Sequence, residues 1–424
     1  MDSAYSKLLA RLQSVRTLGV SFGLDRVRLA LERLGWPERR FRAVQIAGTN
    51  GKGSTAAFLE SILRAAGLRT GLFTSPHLCR FSERIRIDGR EVDGERLGQL
   101  DEAVVATGVP LTYFEISAVL AFLAFAEAGV DLAVLETGLG GRLDATTASQ
   151  PLACAITSIA LDHQDWLGQS IREIAHEKAC IARPGVPIFV GHLSSEALAE
   201  IERVAHQTGS PLQRFGADFA APDLPLGLPG AHQISNAALA VILARAVASN
   251  MGFVLAQDVV RRGLAETHWP GRLERVAPDV LLDCAHNAEG AVALATALPA
   301  APCRALVVSI VQGKDARAML TALGPHFDCI VATRSPSERS HAPEALAALV
   351  PRDGKRVVEV VADPDLALAR ARAMVAGAPD GLVVVAGSIF LVGALRARLL
   401  NEPVDAIAGS DPMPYRDSGC RGAV

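Results

Sequence analysis

Short apolar runs alternate with amphipathic stretches along most of this 424-residue chain, and the two patterns predict strands and helices respectively. In the first part of the chain, apolar runs predict strands at 44–47, 71–74, 131–136, 153–159 and 187–190. Helical spacing predicts helices at 6–19, 25–34, 117–128 and 171–182. The last helix opens with Ser170 and Glu173, the spacing of a capping box. Apolar strands joined by helices indicate a doubly wound, mainly parallel sheet.

A segment rich in Pro, Gly and Asp at 218–229 interrupts this alternation, and a long helix is predicted after it at 232–247. Beyond a linker around 268–274 the alternation restarts, with strands predicted at 280–282, 305–309, 329–332, 356–361 and 382–386. The fold class is therefore α/β with two doubly wound domains. We place an N-terminal domain at 1–270 and a smaller, Rossmann-like C-terminal domain at 271–401. The polar tail 402–424 is expected to be disordered.

A glycine-rich loop follows the first predicted strand and leads into a helical pattern. Its residues are Gly48, Thr49, Asn50, Gly51, Lys52, Gly53, Ser54 and Thr55. Backbone N–H groups of such a loop and of the helix N-terminus bind phosphate. Lys52 can reach the terminal phosphates, and Ser54 or Thr55 can contact Mg²⁺. The strict P-loop pattern is not met, because Ile46 replaces its first glycine and Gly53 follows the lysine. The flanking strand and helix favour a nucleotide and a P-loop ATPase domain.

Polar residues follow three other predicted strands, at the edge where open α/β sheets bind ligands. Glu136 ends an apolar strand and is a candidate Mg²⁺ ligand, although a solitary glutamate at a strand end is more often simply solvated. His163 and Ser75 follow two further strands. Lys178 lies in a helix lined by Ile and Ala, and the pattern fits either a surface lysine or a buried lysine near the metal.

Composition excludes several classes of function. The chain is 50% hydrophobic and 21% charged with a net charge of -3, which predicts no surface for nucleic acid or anionic membranes. No apolar run is long enough to span a bilayer, and the N-terminus lacks the regions of a signal peptide, so we expect a cytoplasmic protein. The seven cysteines are scattered without a C-x-x-C pair, which predicts neither a disulfide framework nor a zinc site.

Seven separated motifs, present in order in both predicted domains, resemble those of one known family. They are Gly-Thr-Asn-Gly-Lys-Gly-Ser (48–54), Ser-Pro-His-Leu (75–78), Glu-x-Gly-Leu-Gly-Gly-Arg-Leu-Asp-Ala-Thr (136–146), Asp-His (162–163) with Leu-Gly (167–168), Ile-Ala-x-Glu-Lys-Ala (174–179), Pro-Gly-Arg (270–272) and Asp-x-Ala-His-Asn (283–287). The family is folylpolyglutamate synthase, in the bacterial bifunctional form that is also dihydrofolate synthase, within the Mur ligase superfamily. The resemblance runs from about Phe22 to Leu399.

The resemblance implies an ATP- and Mg²⁺-dependent ligase. Such enzymes phosphorylate a substrate carboxylate, and the amino group of L-glutamate then attacks the acyl phosphate to form an amide. The carboxylate belongs to dihydropteroate or is the γ-carboxylate of a reduced folate. The sequence does not decide whether one or both of these activities are present. We expect a monomer without nucleic-acid or membrane partners.

The resemblance also assigns roles to single residues. Nucleotide contacts fall on the loop residues 49–55 together with Asn236, Arg272 and Asp283. Magnesium ligands fall on Ser75, Glu136 and His163. Contacts to the pterin substrate fall on Thr112, Leu143, Asp144 and Ala145. Lys178 matches a carbamylated lysine, and the residues expected to act in catalysis are Lys52, Lys178, His163, Asp283 and His286.

Two departures from the family pattern bear on substrate position, because Thr147 stands where Asn is usual and Cys180 where Gly is usual.

Two other functions remain open. A Mur-type ligase acting on a cell-wall precursor is disfavoured, because the glycine loop follows the N-terminus too soon for a separate UDP-sugar domain. A kinase or NTPase without ligation is disfavoured, because it needs no second α/β domain with an Asp-x-Ala-His-Asn edge.

Overall fold

The computed structural model describes residues 3–15, 23–351, 354 and 356–405. Its first sheet has eight strands, β1 to β8, which are Arg42–Ala47, Thr70–Phe73, Ile85–Ile87, Arg90–Glu91, Leu132–Glu136, Pro151–Ile156, Ile188–Val190 and Leu212–Arg214. The helices that accompany this sheet, α1 to α10, are Ala4–Val15, Asp25–Arg33, Lys52–Ala65, Gly94–Ala106, Tyr113–Ala128, Gln164–Leu167, Ile171–Ala179, Ser195–Thr208, His232–Met251 and Gln257–Ala265.

The order of strands in this sheet is β4-β3-β2-β5-β1-β6-β7-β8. In this spatial order, all neighbouring strands from β2 to β8 pair in parallel. At the other end of the sheet, β3 and β4 pair in antiparallel. The strand before the glycine loop, β1, lies between β5 and β6, so Ile46 pairs with Glu136 and Ala47 pairs with Ile156. The carboxyl ends of the three central strands therefore meet at one edge, where α/β sheets bind ligands.

Three apolar cores cover the faces of this sheet. On one face, α5 packs with α1, α2 and α4 over β2 and β5, and α7 and α8 pack over β6 and β7. On the other face, α3, α9 and α10 pack over β1, β5 and β6. In the part of the chain that the structure describes, α9 is the helix long and apolar enough to cross a membrane. Its apolar residues lie in the core against α3, as in a core helix of a globular domain.

The second sheet has six strands, β9 to β14, in the order β13-β12-β11-β14-β10-β9. They are Glu274–Ala277, Val280–Leu282, Arg304–Val308, Cys329–Ala332, Val357–Val360 and Leu382–Ala386. The helices α11 to α15 are Ala288–Ala297, Ala316–Leu323, Pro343–Leu349, Pro364–Val375 and Ile389–Leu400. All pairs are parallel except β9 with β10. Two doubly wound α/β units are thus present, as the sequence predicts.

Every strand predicted from apolar runs is present. The predicted and observed bounds differ most for β6, which is predicted at 153–159 and runs from Pro151 to Ile156. The pattern missed β3, β4, β8 and β9. These are short strands at a sheet edge or, for β3, next to one, where few apolar residues are needed. The segment predicted as a linker at 268–274 leads directly into β9. The predicted helix at 117–128 begins earlier, at Tyr113, because Thr112 and Glu115 form a capping box. The helix predicted at 171–182 ends at Ala179.

The ends of the chain fall partly outside the described residues. The predicted helix at 6–19 is described as far as Val15. The tail predicted to be disordered from Glu402 begins with four residues that are ordered. Glu402 pairs with Arg80 and Arg396, and the Asp405 carboxylate accepts a hydrogen bond from the backbone N–H of Phe81 at 2.7 Å. Residues 402–405 therefore have defined contacts, although disorder is expected for them from sequence. Residues 406–424 lie outside the described residues.

Candidate active site

A cleft of about 1190 Å³ lies between the two sheets and is lined by residues of both. From the first sheet it receives the segments that follow β1, β2, β5 and β6. From the second sheet it receives the segments that follow β10, β11 and β14. Of the site residues predicted from sequence, all but one line this cleft. The exception is Thr55, which is fully buried in α3 and has an Oγ1 without a hydrogen-bond partner among the described residues.

The glycine loop bends sharply between β1 and α3. Gly48 and Gly51 have φ angles of +148° and +86°, which favour glycine. A Cβ at Gly48 would lie 1.9 Å from Oγ1 of Thr157, and a Cβ at Gly51 would lie 2.4 Å from Oδ1 of Asn236. Gly51 precedes α3 without a side-chain cap. The first N–H groups of α3 are therefore available at the cleft, as in other anion sites at helix N-termini.

Glu136 lies at the end of β5 beside this loop and is buried. Its Oε1 is 3.8 Å from Nζ of Lys52, and its Oε2 accepts a hydrogen bond from the backbone N–H of Ser75 at 3.3 Å. Burial raises the pKa of Glu136, and the positive charge of Lys52 opposes this shift. A buried carboxylate next to a phosphate-binding loop is suited to a cation that also contacts phosphate.

The predicted magnesium ligands supply a carboxylate, a hydroxyl and an imidazole from β5 and from the segments that follow β2 and β6, at the same edge of the sheet. Within the described ranges, no group of three or more His, Cys, Asp or Glu side chains is arranged to hold a metal ion. Mg²⁺ usually takes one or two protein carboxylates and completes its shell with phosphate and water. Glu136 and Ser75 fit this pattern, in which the nucleotide completes the site.

His163 begins α6 with a φ of +51°, and its side chain is 41% exposed. The neighbouring Asp162 is more buried and faces the second sheet. Asp162 pairs with Nζ of Lys314, accepts a hydrogen bond from Asn287 at 3.1 Å and lies 3.9 Å from Nε2 of His286. Burial alone would raise the pKa of Asp162, but the charges of His163, Lys314 and His286 hold it well below its usual range. Asp162 therefore connects the two sides of the cleft as an anion.

Lys178 is buried and not a surface lysine, with 5% of the residue exposed. Its Nζ donates a hydrogen bond to the backbone oxygen of Gly48 at 2.8 Å, directly below the glycine loop. Burial, together with repulsion from Lys52, lowers the pKa of Lys178 to about 7. A large fraction of the amine is therefore neutral near pH 7. Cys180, which departs from the family pattern, ends the same helix and does not line the cleft.

Of the residues predicted from sequence, the second sheet brings a carboxylate, Asp283, and a neutral imidazole, His286, to the cleft. Asp283 accepts hydrogen bonds from the backbone N–H groups of Leu273 at 3.0 Å and Ala285 at 2.9 Å. Burial raises the pKa of Asp283, and Arg272 opposes the shift. The imidazole of His286 contacts the backbone oxygen of Cys284 at 2.9 Å through Nδ1, and burial lowers its pKa to about 4. From α9, Asn236 reaches the same cleft and donates to Oε1 of Gln233 at 2.9 Å.

Two of the predicted substrate residues have structural hydrogen bonds. The Thr112 hydroxyl accepts from the backbone N–H of Glu115 at the start of α5. The Asp144 carboxylate accepts from the backbone N–H groups of Gly138 at 2.8 Å, Leu139 at 3.0 Å and Thr146 at 3.0 Å. Asp144 thus fixes the glycine segment after β5. Leu143 and Ala145, on either side of it, line the cleft.

Thr147, the second departure from the family pattern, is part of the same loop. Its hydroxyl donates to the backbone oxygen of Gly141 at 2.7 Å and accepts from Nε2 of Gln45 at 2.7 Å. The threonine therefore joins the loop to β1 without facing the cleft. No role is predicted from sequence for Asp162, Asn287 or Lys314. Lys314 could have been found, because it follows β11 at the ligand-binding edge of the second sheet.

Comparison with known proteins identifies the family. Residues 46–218 match the Mur ligase middle domain, and residues 271–389 match the Mur ligase glutamate ligase domain. The dihydrofolate synthase/folylpolyglutamate synthase of Bacillus subtilis is 39% identical over 328 residues, which cover 70% of this chain and 76% of that protein. This chain belongs to the folylpolyglutamate synthase/dihydrofolate synthase family of Mur ligases. A relative from Haloferax volcanii, "Probable bifunctional folylpolyglutamate synthase/dihydropteroate synthase", is 35% identical over 92% of this chain, and the chain spans 50% of that longer protein.

Solved structures of the family have the same fold. Escherichia coli FolC in complex with DHPP and ADP superposes with a TM-score of 0.85 at 31% identity, and the match covers 95% of this chain and 99% of that one. The bifunctional folylpolyglutamate synthase/dihydrofolate synthase of Yersinia pestis, complexed with AMPPNP and Mn ion, has a TM-score of 0.83 at 31% identity, over 94% of this chain and 100% of that one. The predicted two-domain fold of the family is confirmed.

Proposed function

We propose that this protein is an ATP- and Mg²⁺-dependent carboxylate–amine ligase that adds L-glutamate to dihydropteroate, to the γ-carboxylate of a reduced folate, or to both. One observation carries the proposal. The glycine loop, Glu136 and Lys178 of one domain share a cleft with Asp283 and His286 of the other domain. A cleft between two domains is suited to a reaction of three substrates from which water must be excluded.

The chemistry requires activation of the carboxylate, because a carboxylate oxygen is a poor leaving group. A carboxylate oxygen of the substrate attacks the γ-phosphorus of ATP, and ADP leaves. The amine of glutamate then attacks the resulting acyl phosphate, loses a proton and displaces inorganic phosphate, which leaves the amide. The loop N–H groups and Lys52 would hold the phosphates and offset charge that develops on them, which the uncapped start of α3 and the position of Lys52 in the loop support. Positioning and charge stabilisation carry most of the catalysis in such transfers.

Glu136, Ser75 and His163 would hold the magnesium ion on the side of the carboxylate substrate. Ser54 lines the cleft at the start of α3, on the side proposed for the nucleotide, whereas the hydroxyl of the next residue, Thr55, is buried outside the cleft lining without a partner among the described residues. When bound, Mg²⁺ supplies charge neutralisation to the phosphate oxygens. On the protein's side, Lys52 lies 3.8 Å from Glu136 and keeps this carboxylate next to the phosphate-binding loop. The complex of the Yersinia pestis relative with AMPPNP and Mn ion supports a divalent ion with the nucleotide.

Lys178 is the residue that we propose to be carbamylated. Its lowered pKa provides the neutral amine that carbon dioxide requires. The nitrogen lone pair forms a bond to the carbon of CO₂, and one proton leaves the nitrogen. The product is an anion with two oxygens directly under the glycine loop, where Nζ now donates to Gly48. An anion there would offset the positive charge of Lys52. The ammonium form of Lys178, in contrast, is repelled by Lys52.

We further propose binding of the pterin part of the substrate along Thr112, Leu143, Asp144 and Ala145, and nucleotide contacts to Asn236, Arg272 and Asp283. All of these residues line the cleft. We also propose a cytoplasmic monomer. The six described cysteines are free, which supports a reducing compartment.

Product analysis tests the function. The protein is incubated with ATP, Mg²⁺ and glutamate, with dihydropteroate in one reaction and a reduced folate in another. A new amide together with ADP and phosphate in either reaction supports the proposal. A phosphorylated substrate that does not react further indicates a kinase, and phosphate without an organic product indicates an NTPase. Amide formation with a cell-wall precursor alone indicates another Mur-type ligase.

A further inference from the structure

One arginine in the cleft has no partner for its charge. Arg86 lies on β3 between Ile85 and Ile87, which pack into the core over α5, so alternation points Arg86 to the other face of the sheet, beside the cleft. Its Nε is buried without a hydrogen-bond partner. Across the described residues, no hydrogen bond joins the Arg86 side chain to another group, and no carboxylate lies within ion-pair distance of it.

The three carboxylates whose charges act on Arg86 are held by other groups. Glu60 accepts from the Thr70 hydroxyl at 2.6 Å. Glu91 pairs with Arg80 at 2.8 Å. Glu83 accepts hydrogen bonds from backbone N–H groups at 78–80. None of them is available to move to Arg86 without leaving its own partners.

The other lysines and arginines that line the described part of the cleft each have a partner. These residues are Lys52, Arg84, Lys178, Arg272, Lys314, Arg339 and Arg398. Arg86 is half-buried, and a guanidinium partly removed from water without an anion is unfavourable, so burial lowers the pKa of Arg86. The charge of Arg86 is therefore available to a ligand that brings its own anion.

The position of Arg86 defines where that anion must lie. The guanidinium carbon is 5.0 Å from the centre of the Trp269 ring, a cation–π distance. The same indole adjoins the glycine loop, since a Cβ at Gly53 would lie 3.0 Å from Nε1 of Trp269 and 3.5 Å from Oε2 of Glu136. A single indole ring thus separates Arg86 from Gly53 and Glu136, beside which the proposed function puts the reacting carboxylate.

We propose that Arg86, held in place by Trp269, binds the α-carboxylate of the terminal glutamyl residue of a folyl substrate. The inference rests on the proposed function. Dihydropteroate has one carboxylate, and that carboxylate reacts. A folyl-glutamate presents its γ-carboxylate for reaction and carries a second, free carboxylate a short carbon chain away. A planar guanidinium binds such a carboxylate through two parallel hydrogen bonds. Arg86 is thus a specificity residue for polyglutamylation.

Steady-state kinetics of the Arg86→Gln and Arg86→Lys variants test this. We expect Arg86→Gln to raise the KM for a folyl-glutamate by about 10- to 100-fold, the effect of a lost charge-assisted contact. The KM for dihydropteroate should stay within about two-fold, as expected for a group that this substrate does not contact. Arg86→Lys should fall between wild type and Gln. Arg90→Gln, an exposed arginine on the adjacent β4, is the matched control.

A folyl-glutamate with its α-carboxylate converted to an amide provides an independent comparison. The wild type should bind this analogue weakly, and the Arg86→Gln substitution should not weaken binding of the analogue any further. Equal losses for the acid and the amide, or for dihydropteroate and folyl-glutamate, would overturn the proposal and make Arg86 a phosphate-binding or structural residue. A wild type that ligates dihydropteroate alone also overturns it while the proposed function stands. A wild type that forms no amide with either substrate refutes the proposed function itself.

Discussion

The side-chain amides of Asn50 and Asn287 form two reciprocal hydrogen bonds across the cleft. Nδ2 of Asn50 donates to Oδ1 of Asn287 at 3.2 Å, and Nδ2 of Asn287 donates to Oδ1 of Asn50 at 3.0 Å. The same Asn287 donates to Asp162 and begins α11 by accepting from the N–H of Gly290 at 2.8 Å. Asn287 therefore joins the glycine loop of one domain to a helix of the other.

The Asn287→Asp substitution separates these two roles. An aspartate keeps the oxygen that caps α11, but it loses both donor contacts and places a negative charge beside Asp162. We expect kcat/KM to fall about 100-fold, because misplacement of the two domains disturbs the reacting groups. The unfolding temperature should change little. Small-angle scattering should show a more open average shape for this variant, and Asn250→Asp, an exposed residue at the end of α9, is the control.

Lys52→Ala should abolish ligation without loss of the fold. The side chain contacts the backbone oxygen of Thr49 and lies near Glu136, and it contributes no apolar packing to the cores. Removal of a cation from the phosphate site should lower kcat by about 10²- to 10³-fold or more. Nucleotide binding by calorimetry and a thermal unfolding curve are the measurements. Near-normal turnover, at wild-type stability and relative to the exposed control Lys7→Ala, would falsify the assignment of the loop.

Glu136→Gln should reduce turnover and raise the Mg²⁺ concentration at half-maximal rate, because a neutral amide oxygen replaces an anionic ligand. Burial raises the pKa of Glu136 in the folded state, so its ionisation opposes folding as the pH rises through that pKa. The Gln variant does not ionise. Without Mg²⁺ and nucleotide, it should be at least as stable as the wild type at pH 8. An unchanged Mg²⁺ titration would exclude Glu136 as a ligand, and exposed Glu196→Gln is the control.

Lys178→Ala should be nearly inactive, and a short carboxylic acid added to the buffer should restore part of the activity by occupying the vacated space. Short amines, which could replace an ammonium, should not restore it. Rescue by amines and not by acids contradicts the carbamate. A fully active variant would show that Lys178 has no part in the reaction. Exposed Lys7→Ala, tested with the same acids and amines, controls for effects of the additives themselves.

The carbamate should also depend on pH in a defined direction. The pKa of Lys178 is lowered to about 7, so the neutral amine that reacts with CO₂ increases as the pH rises through 7 and decreases below it. With ¹³C-labelled bicarbonate, NMR should show a protein carbamate signal that is stronger at pH 8 than at pH 6 and absent in Lys178→Ala. A signal of equal intensity in that variant would assign it to another amine.

The local pattern of the sequence determined much of this protein. Apolar runs such as Val280–Leu282 and Leu382–Ala386 predicted their strands without displacement, because a strand buried on both faces needs a continuous apolar run. The glycine loop was evident for a similar reason, since only glycine tolerates the φ angles and close approaches at 48 and 51. The motifs then identified the family.

The tertiary structure decided which side chains meet. Sequence left Lys178 between a surface and a buried position, and its lowered pKa arises from burial under a loop far away in the chain. The contacts of Asp162 with Lys314 and of Asn50 with Asn287 join residues of different domains. The unpaired charge of Arg86 follows from the partners that its neighbours have already taken. Such relationships depend on packing between distant segments, and the period and composition of a short segment carry no information about them.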